Sequence, residues 1–305
     1  MSVIETLMEI VDREEITDYE AWKHSLSDRK RDEIELHDAL RDMGARQVLE
    51  KSEKKKKFGN SKLLDDRVFT DNTAYFDENV MQNNIARLSD RYFHQQIQTS
   101  LKGKIVLDFA SGFGREAILA SKAGAACVIG IDLSKKSVEE ARDLAAKLGA
   151  SHNTWFMVGD CENTVFPDHS FDVVICARML HHIDLEAGFK EIKRLLKPGG
   201  KAICIEALGY NPLLNLYRRF TPEMRTNWEK KHILTHKDLK VAARYFKVEN
   251  VKYWHMLSVI AKLYRPILPI ADFIDHYVLT RIPGVRVLSW IFTFELRAVP
   301  LELDI

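Results

Sequence analysis

From about residue 100 onward, short apolar runs rich in β-branched residues alternate with longer segments whose apolar positions recur at helical spacing. The runs KIVLDFA (104–110), CVIGIDL (127–133), TWFMVGD (154–160), FDVVICAR (171–178) and KAICIEAL (201–208) read as strands. SKKSVEEARDLAAKLG (134–149) and DLEAGFKEIKRLL (184–196) read as intervening helices. Such alternation predicts a parallel sheet with helices on both faces. Beyond residue 209 a polar and aromatic segment leads to a helix over HKDLKVAARYF (236–246). VENVKYW (248–254) and WIFTFELRAV (290–299) supply two more strands. No internal repeat is visible.

The first 99 residues show helical spacing without strands. Ile4, Leu7, Met8 and Val11 share one face, and the stretch from Ser27 to Gly44 carries a cap, a glycine stop and an apolar face of Ile34, Leu36, Leu40 and Met43. KSEKKKKF (51–58) breaks the pattern with like charges that repel in a helix, and reads as an exposed linker with an anion-binding patch as the alternative. Asp77 then caps a helix carrying Val80, Ile85, Leu88 and Tyr92. The expected division is a helical extension over 1–99 and an α/β domain over 100–305, with a substrate-side insert at about 209–245.

Composition narrows the class. At 46% hydrophobic and 29% charged residues, 305 residues can bury a core without disulfides or metals. A formal net charge of +1 supplies no field toward a polyanion, so nucleic acid is not the expected partner. Cys127, Cys161, Cys176 and Cys204 form no C-x-x-C pair and read as buried reduced thiols. No stretch of about 18 apolar residues spans a bilayer, and the N-terminus lacks a signal-peptide pattern, so the expected location is the cytoplasm.

Candidate chemistry clusters at the strand ends. The first strand runs into VLDFASGFGREA, with Asp108 at its end and Gly112 and Gly114 in the turn before a helix. Glycines there let backbone approach a ligand, and the helix N-terminus presents free N–H groups. Gly112, Gly114 and Ala117 also satisfy the dinucleotide spacing G-x-G-x-x-[G/A]. About 20 residues beyond Gly112, Asp132 ends the second strand, where a carboxylate binds ribose hydroxyls. The pattern indicates a nucleoside ligand without choosing one; a ligand-free turn and a mere helix cap are the alternatives.

In order, VLDFASGFG, VIGIDLS, VGDCENTVFPDHSFDVVICARMLHHI and RLLKPGGKAICIE resemble class I S-adenosylmethionine-dependent methyltransferases over residues 100–208. The resemblance implies a Rossmann-like, doubly wound, seven-stranded and mostly parallel sheet, with S-adenosyl-L-methionine as cofactor. It implies that Asp108 accepts from the methionine amino group, that Ala110, Gly112 and Gly114 pass beneath the methionine and ribose, and that Asp132 takes the ribose hydroxyls beside Leu133. Asp160 and the Cys161 N–H would then bind the adenine, and Ala177 and Arg178 line the methionine end. Ala110 departs from the family's frequent first glycine, a small-residue replacement that still permits the turn.

The acceptor side carries fewer signals. His181 and His182 are the foremost candidates for a general base, since a histidine near neutral pKa can take a hydroxyl proton; loop orientation is the alternative. Glu206 is the next candidate, or else a salt-bridge partner of Arg218 or Arg219. Some relatives bind a metal through acids in this region, but Arg178 and His181 stand in their places, so no metal is expected. The segment 206–226 resembles a subgroup with an insert after the fifth strand. There Tyr210, Asn211, Tyr217 and Arg219 are candidates for a lid over the acceptor, with Tyr75 closing the other side; ordinary packing of the insert is the equal alternative for any one of them. Residues 256–294, rich in apolar and aromatic side chains, pack on the sheet, line a hydrophobic acceptor pocket or meet a membrane surface. The expected activity is methyl transfer to a small-molecule or lipid-like acceptor. An NAD-dependent oxidoreductase and a non-catalytic binding protein are the alternatives.

Overall fold

The computed structural model describes residues 2–39, 41–42, 85–222, 225–262 and 264–299. Asp77, Val80, Tyr75 and the 51–58 linker therefore lie outside the described residues. Three helices come first: α1 (Val3–Arg13), α2 (Tyr19–Ser25) and α3, spanning 28–39. A capping box at Ser2 and Glu5 starts α1, and Leu7, Ile10 and Val11 are its buried stripe. Helix α4 (Arg87–Ser100) starts at Arg87, so Ile85 sits in the preceding turn rather than in the helix, and Ala86 offers no side-chain cap.

The strands are β1 (Ile105–Phe109), β2 (Cys127–Asp132), β3 (Thr154–Val158), β4 (Phe171–Ala177), β5 (Leu196–Ala207), β6 (Phe246–Trp254) and β7 (Ile291–Ala298). Between them lie α5 (Arg115–Lys122), α6 (Lys135–Lys147), α7 (Leu185–Leu195), α8 (Pro212–Phe220), α9 (Glu229–His232), α10 (His236–Ala242) and α11 (Leu268–Arg281). The sheet order is β3-β2-β1-β4-β5-β7-β6. Neighbours among β1 to β5 are parallel, while β7 inserts antiparallel between β5 and β6. This is the expected doubly wound, mostly parallel sheet.

Both sheet faces are covered, which is why the inner strands are buried at nearly every position, and mostly apolar, rather than apolar at alternate ones. One apolar layer joins α1, α7 and α10 to the sheet; the other joins α4, α5 and α6. All four cysteines are buried and free. Two boundaries differ from the sequence reading. The helix expected over 236–246 stops at Ala242, because Phe246 is buried as the first residue of β6. The fifth strand begins five residues early: Phe171 pairs with Leu196 and Val173 with Lys201, so the KPGG turn is a bulge within the strand.

Candidate functional site

Strand order reverses between β1 and β4, and ligands of doubly wound sheets bind at the carboxyl ends beside that point. The loop after β1 is built by three left-handed residues, Ala110 (φ 58), Gly112 (φ 54) and Gly114 (φ 79). Ala110 thus holds the backbone angle a glycine takes more cheaply. Gly114 is required by close packing as well: a Cβ there would lie 2.6 Å from the Phe156 ring.

Three carboxylates surround this loop. Asp108 is buried and accepts the Ala117 N–H at 2.9 Å; burial and the Glu116 charge raise its pKa well above the carboxylate range. Asp132 accepts the Gly112 N–H at 2.8 Å and the Ser134 N–H at 2.9 Å, one on each oxygen. It ties the glycine turn to the start of α6, and each oxygen keeps a lone pair for a hydroxyl. Asp160 accepts the Glu162 N–H at 3.0 Å on one oxygen and is ion-paired with Lys30 on the other. Beside them, Leu133 is half-buried and Cys161 buried.

The N-terminal helices roof this edge. Tyr19 donates to the Leu133 carbonyl at 3.1 Å, Ser134 donates to Asp38 at 2.6 Å, and Lys30 also reaches Glu162 at 2.9 Å. Arg29 donates to the His182 carbonyl at 2.6 Å and to Glu162 at 2.5 Å. A Cβ on Gly112 would meet the Arg41 guanidinium at 3.5 Å. None of the N-terminal partners Tyr19, Arg29, Lys30, Asp38 and Arg41 was singled out from sequence. Positions 29, 30, 33 and 37 do share a polar helix face, but such a face looks the same whether it meets solvent or a site.

On the acceptor side, His181 and Glu206 form one unit. Glu206 is fully buried; its Oε1 accepts the Leu180 N–H at 2.7 Å, and Oε2 lies 2.7 Å from His181 Nδ1. Burial alone would lower the His181 pKa, but the Glu206 carboxylate raises it above the ordinary value. His181 Nε2 faces Glu229 at 3.6 Å, too long for a hydrogen bond. Glu206 therefore does not pair with Arg218 or Arg219. His182 Nδ1 instead meets Glu33 at 2.9 Å, and burial and then the adjacent His181 lower its pKa to about 4. Glu33 also accepts from Thr226 at 2.5 Å; burial raises its pKa, but the bonds from His182, His37 and Thr226 prevail and hold it far below the carboxylate range. Ligand atoms of Glu33, His37 and His182, and of His181, His182 and Glu229, lie within 4.8 Å of one another, close enough to hold an ion. A groove of about 530 Å³ opens next to this cluster, between α3 and the residues Pro222, Arg225, Thr226, Asn227 and Lys230.

Other expected site residues fare differently. Ala177 is half-buried at the end of β4, but the Arg178 guanidinium is ion-paired with Asp90 on α4, which draws it toward that helix. Asn211 is buried and caps α8, accepting from Leu213 and Leu214 at 3.0 and 3.2 Å and donating to the Leu288 carbonyl at 2.5 Å. Its amide is thus consumed structurally and does not face an acceptor. Tyr210 packs by His236, with ring centroids 5.3 Å apart, Tyr217 is half-buried in α8, and Arg219 is exposed.

Residues 106–200 match the family model described as a methyltransferase domain. A sterol 24-C-methyltransferase of Aspergillus fumigatus is 40% identical over 100 residues, 32% of this chain and 26% of the relative. A ubiquinone/menaquinone biosynthesis C-methyltransferase of Geotalea daltonii is 32% identical over 130 residues, 42% of this chain and 55% of the relative. The chain thus spans less than two thirds of either relative. Geranyl diphosphate C-methyltransferase from Streptomyces coelicolor, solved with Mg²⁺, geranyl diphosphate and S-adenosyl-L-homocysteine, shares the fold with a TM-score of 0.52 at 16% identity, covering 73% of this chain and 84% of that one.

Proposed function

We infer that this chain, which carries a class I S-adenosylmethionine-dependent methyltransferase domain over residues 106–200, transfers a methyl group to a small-molecule or lipid-like acceptor and releases S-adenosylhomocysteine. The observation that carries the reading is the array of Asp108, Asp132 and Asp160 at successive strand ends around a turn with three left-handed residues. The cofactor would supply an already activated sulfonium methyl. The residues fit it: Asp132 retains acceptor capacity for the ribose hydroxyls, Asp160 and Cys161 would meet the adenine end, and Asp108 would meet the methionine end. Its burial and raised pKa suit pairing with the methionine ammonium, which would restore the charged carboxylate.

What remains for the protein is placement and, for a hydroxyl acceptor, proton removal. Glu206 orients His181 so that Nδ1 carries the proton and Nε2 is left to accept one. Glu229 faces that nitrogen and would stabilise the imidazolium. The roof formed by α2 and α3 would exclude water from the cofactor edge. Methyl transfer itself requires no Lewis acid, so the histidine–glutamate cluster is assigned to proton handling rather than to a metal.

Calorimetric titration of the whole chain with S-adenosylhomocysteine tests the cofactor assignment, and transfer of labelled methyl groups into fractionated lipids and metabolites tests the reaction. Binding with transfer is the expected result. Binding of NAD(H) in place of S-adenosylhomocysteine would overturn the assignment, and cofactor binding with no transfer into any fraction would leave a binding protein on this fold.

A further inference from the structure

Helix α11 carries apolar side chains on its outward face as well as its inward one. The face it turns to the protein carries Leu268, Ala271 and Leu279 together with two carboxylates, Asp272 and Asp275, all buried. Asp272 is paired with Arg87 at 2.6 Å, and Asp275 accepts the N–H groups of Met256, Leu257 and Ser258 at 3.0, 2.7 and 3.0 Å. The opposite face presents Ile270, Phe273 and Tyr277 to the outside, each more than half exposed. Helix α8, which has no buried residue, also exposes Leu213, Leu216 and Phe220; Phe220 and Phe273 are 74% and 72% exposed. The Asn211 amide, bonded to the Leu288 carbonyl, fastens the start of α8 to the end of the turn that follows α11. Single exposed apolar residues are ordinary, but six large ones on two tethered helices mark a surface built to be covered.

Charge identifies the cover. Within 212–220 and 264–288 the positive residues are Arg218, Arg219, Arg265, Arg281 and Arg286, while the only acids, Asp272 and Asp275, point inward. Arg219, Arg265 and Arg281 are exposed, whereas Arg218 and Arg286 are half-buried and bonded to Asn215 and to the Leu279 carbonyl. Exposed apolar side chains accompanied by arginines, with no exposed carboxylate in these two segments, complement acyl chains beneath anionic phosphates. A second copy of the same face would oppose arginine with arginine. Among the described residues no helix is long and apolar enough to cross a membrane, so contact would lie in the plane of the interface.

We propose that α8 and the segment from Tyr264 to Leu288 form a docking face for the surface of an anionic lipid bilayer. The face begins a few residues after Glu206, and Leu208 donates to the Trp290 carbonyl at 2.7 Å, so the bilayer would adjoin the acceptor side of the sheet. The docking face does not rest on the methyl-transfer reading, since vesicle binding and cofactor calorimetry are separate measurements.

Sedimentation of the full chain with vesicles tests it. Binding to vesicles of phosphatidylcholine with a quarter phosphatidylglycerol is expected, at least tenfold stronger than to phosphatidylcholine alone and weakened by 0.5 M salt. The double variant Phe220→Ala/Phe273→Ala should lose tenfold or more, since two large apolar anchors leave the interface. Both side chains are exposed, so the variant should melt like the parent. Equal or absent binding to both vesicle types would overturn the proposal. So would a dimer in gel filtration that the double variant dissociates, because the face would then belong to a second copy.

Discussion

Replacing Glu206 with glutamine preserves the shape of the side chain and reverses the proton logic at His181. The glutamine carbonyl can still accept the Leu180 N–H, now 2.7 Å from Glu206 Oε1. Its amide group would then face His181 Nδ1, which sits 2.7 Å from Oε2 in the parent. To pair with an amide donor, Nδ1 must become the acceptor, which moves the imidazole proton to Nε2 and abolishes that nitrogen as a base. Loss of positioned proton transfer should lower turnover by roughly 10²–10⁴-fold. The change in stability should be small: a charge-assisted hydrogen bond gives way to a neutral one, a difference of about 1 kcal/mol, offset in part because a carboxylate is no longer buried. Single-turnover labelled-methyl transfer, S-adenosylhomocysteine calorimetry and thermal denaturation together separate these effects. The expected result is a large rate loss with unchanged affinity and melting. His181→Ala should lose a similar factor, and the double variant little more, since the two side chains act as one unit. Turnover within a few-fold of the parent for Glu206→Gln would refute the proton-accepting role.

Asp132→Ala removes a carboxylate that accepts two loop N–H groups and, as proposed, the ribose hydroxyls; S-adenosylhomocysteine affinity should fall tenfold or more by calorimetry, at about 1.5–3 kcal/mol per charged hydrogen bond. His255, buried between Ser89 and Ser258, has a pKa lowered to about 4, chiefly by burial. The unfolded chain protonates first, near pH 6.5, so stability should decline as pH falls from about 6.5 toward 4, by on the order of 3 kcal/mol. Urea unfolding across that range should show a shallower pH slope in His255→Gln. Treatment with EDTA should leave methyl transfer intact, because His181 and His182 are already hydrogen-bonded to Glu206 and Glu33; a loss restored by added zinc or magnesium would reassign the cluster to an ion.

The sequence alone determined the run of alternating strands and helices over residues 100–208 and the candidate residues for a nucleoside at the strand ends. Both are written in contiguous segments. A parallel strand buried on both faces is mostly apolar along its length, and the residues that close a strand end and open the next helix are close in the chain, as with Asp108 and Gly112, or Asp132 and Ser134. Ala110 was legible as a substitution in the turn, and the structure adds that it holds a left-handed angle.

Only the tertiary structure decided what long-range contacts decide. That β7 inserts between β5 and β6 follows from pairings such as Cys204 with Phe294, which no local pattern encodes. The joining of His181 to Glu206 needed β4 and β5 in register, so two residues read as rival bases became one pair. Asn211 read as a lid residue because polarity near a site looks functional, whereas the fold spends it on capping α8. The roofing of Leu133, Ser134 and Asp160 by Tyr19, Asp38 and Lys30 was hidden for the converse reason. A helix's polar face carries the same residues whether it meets water or another wall of the same site, and only packing tells the two apart.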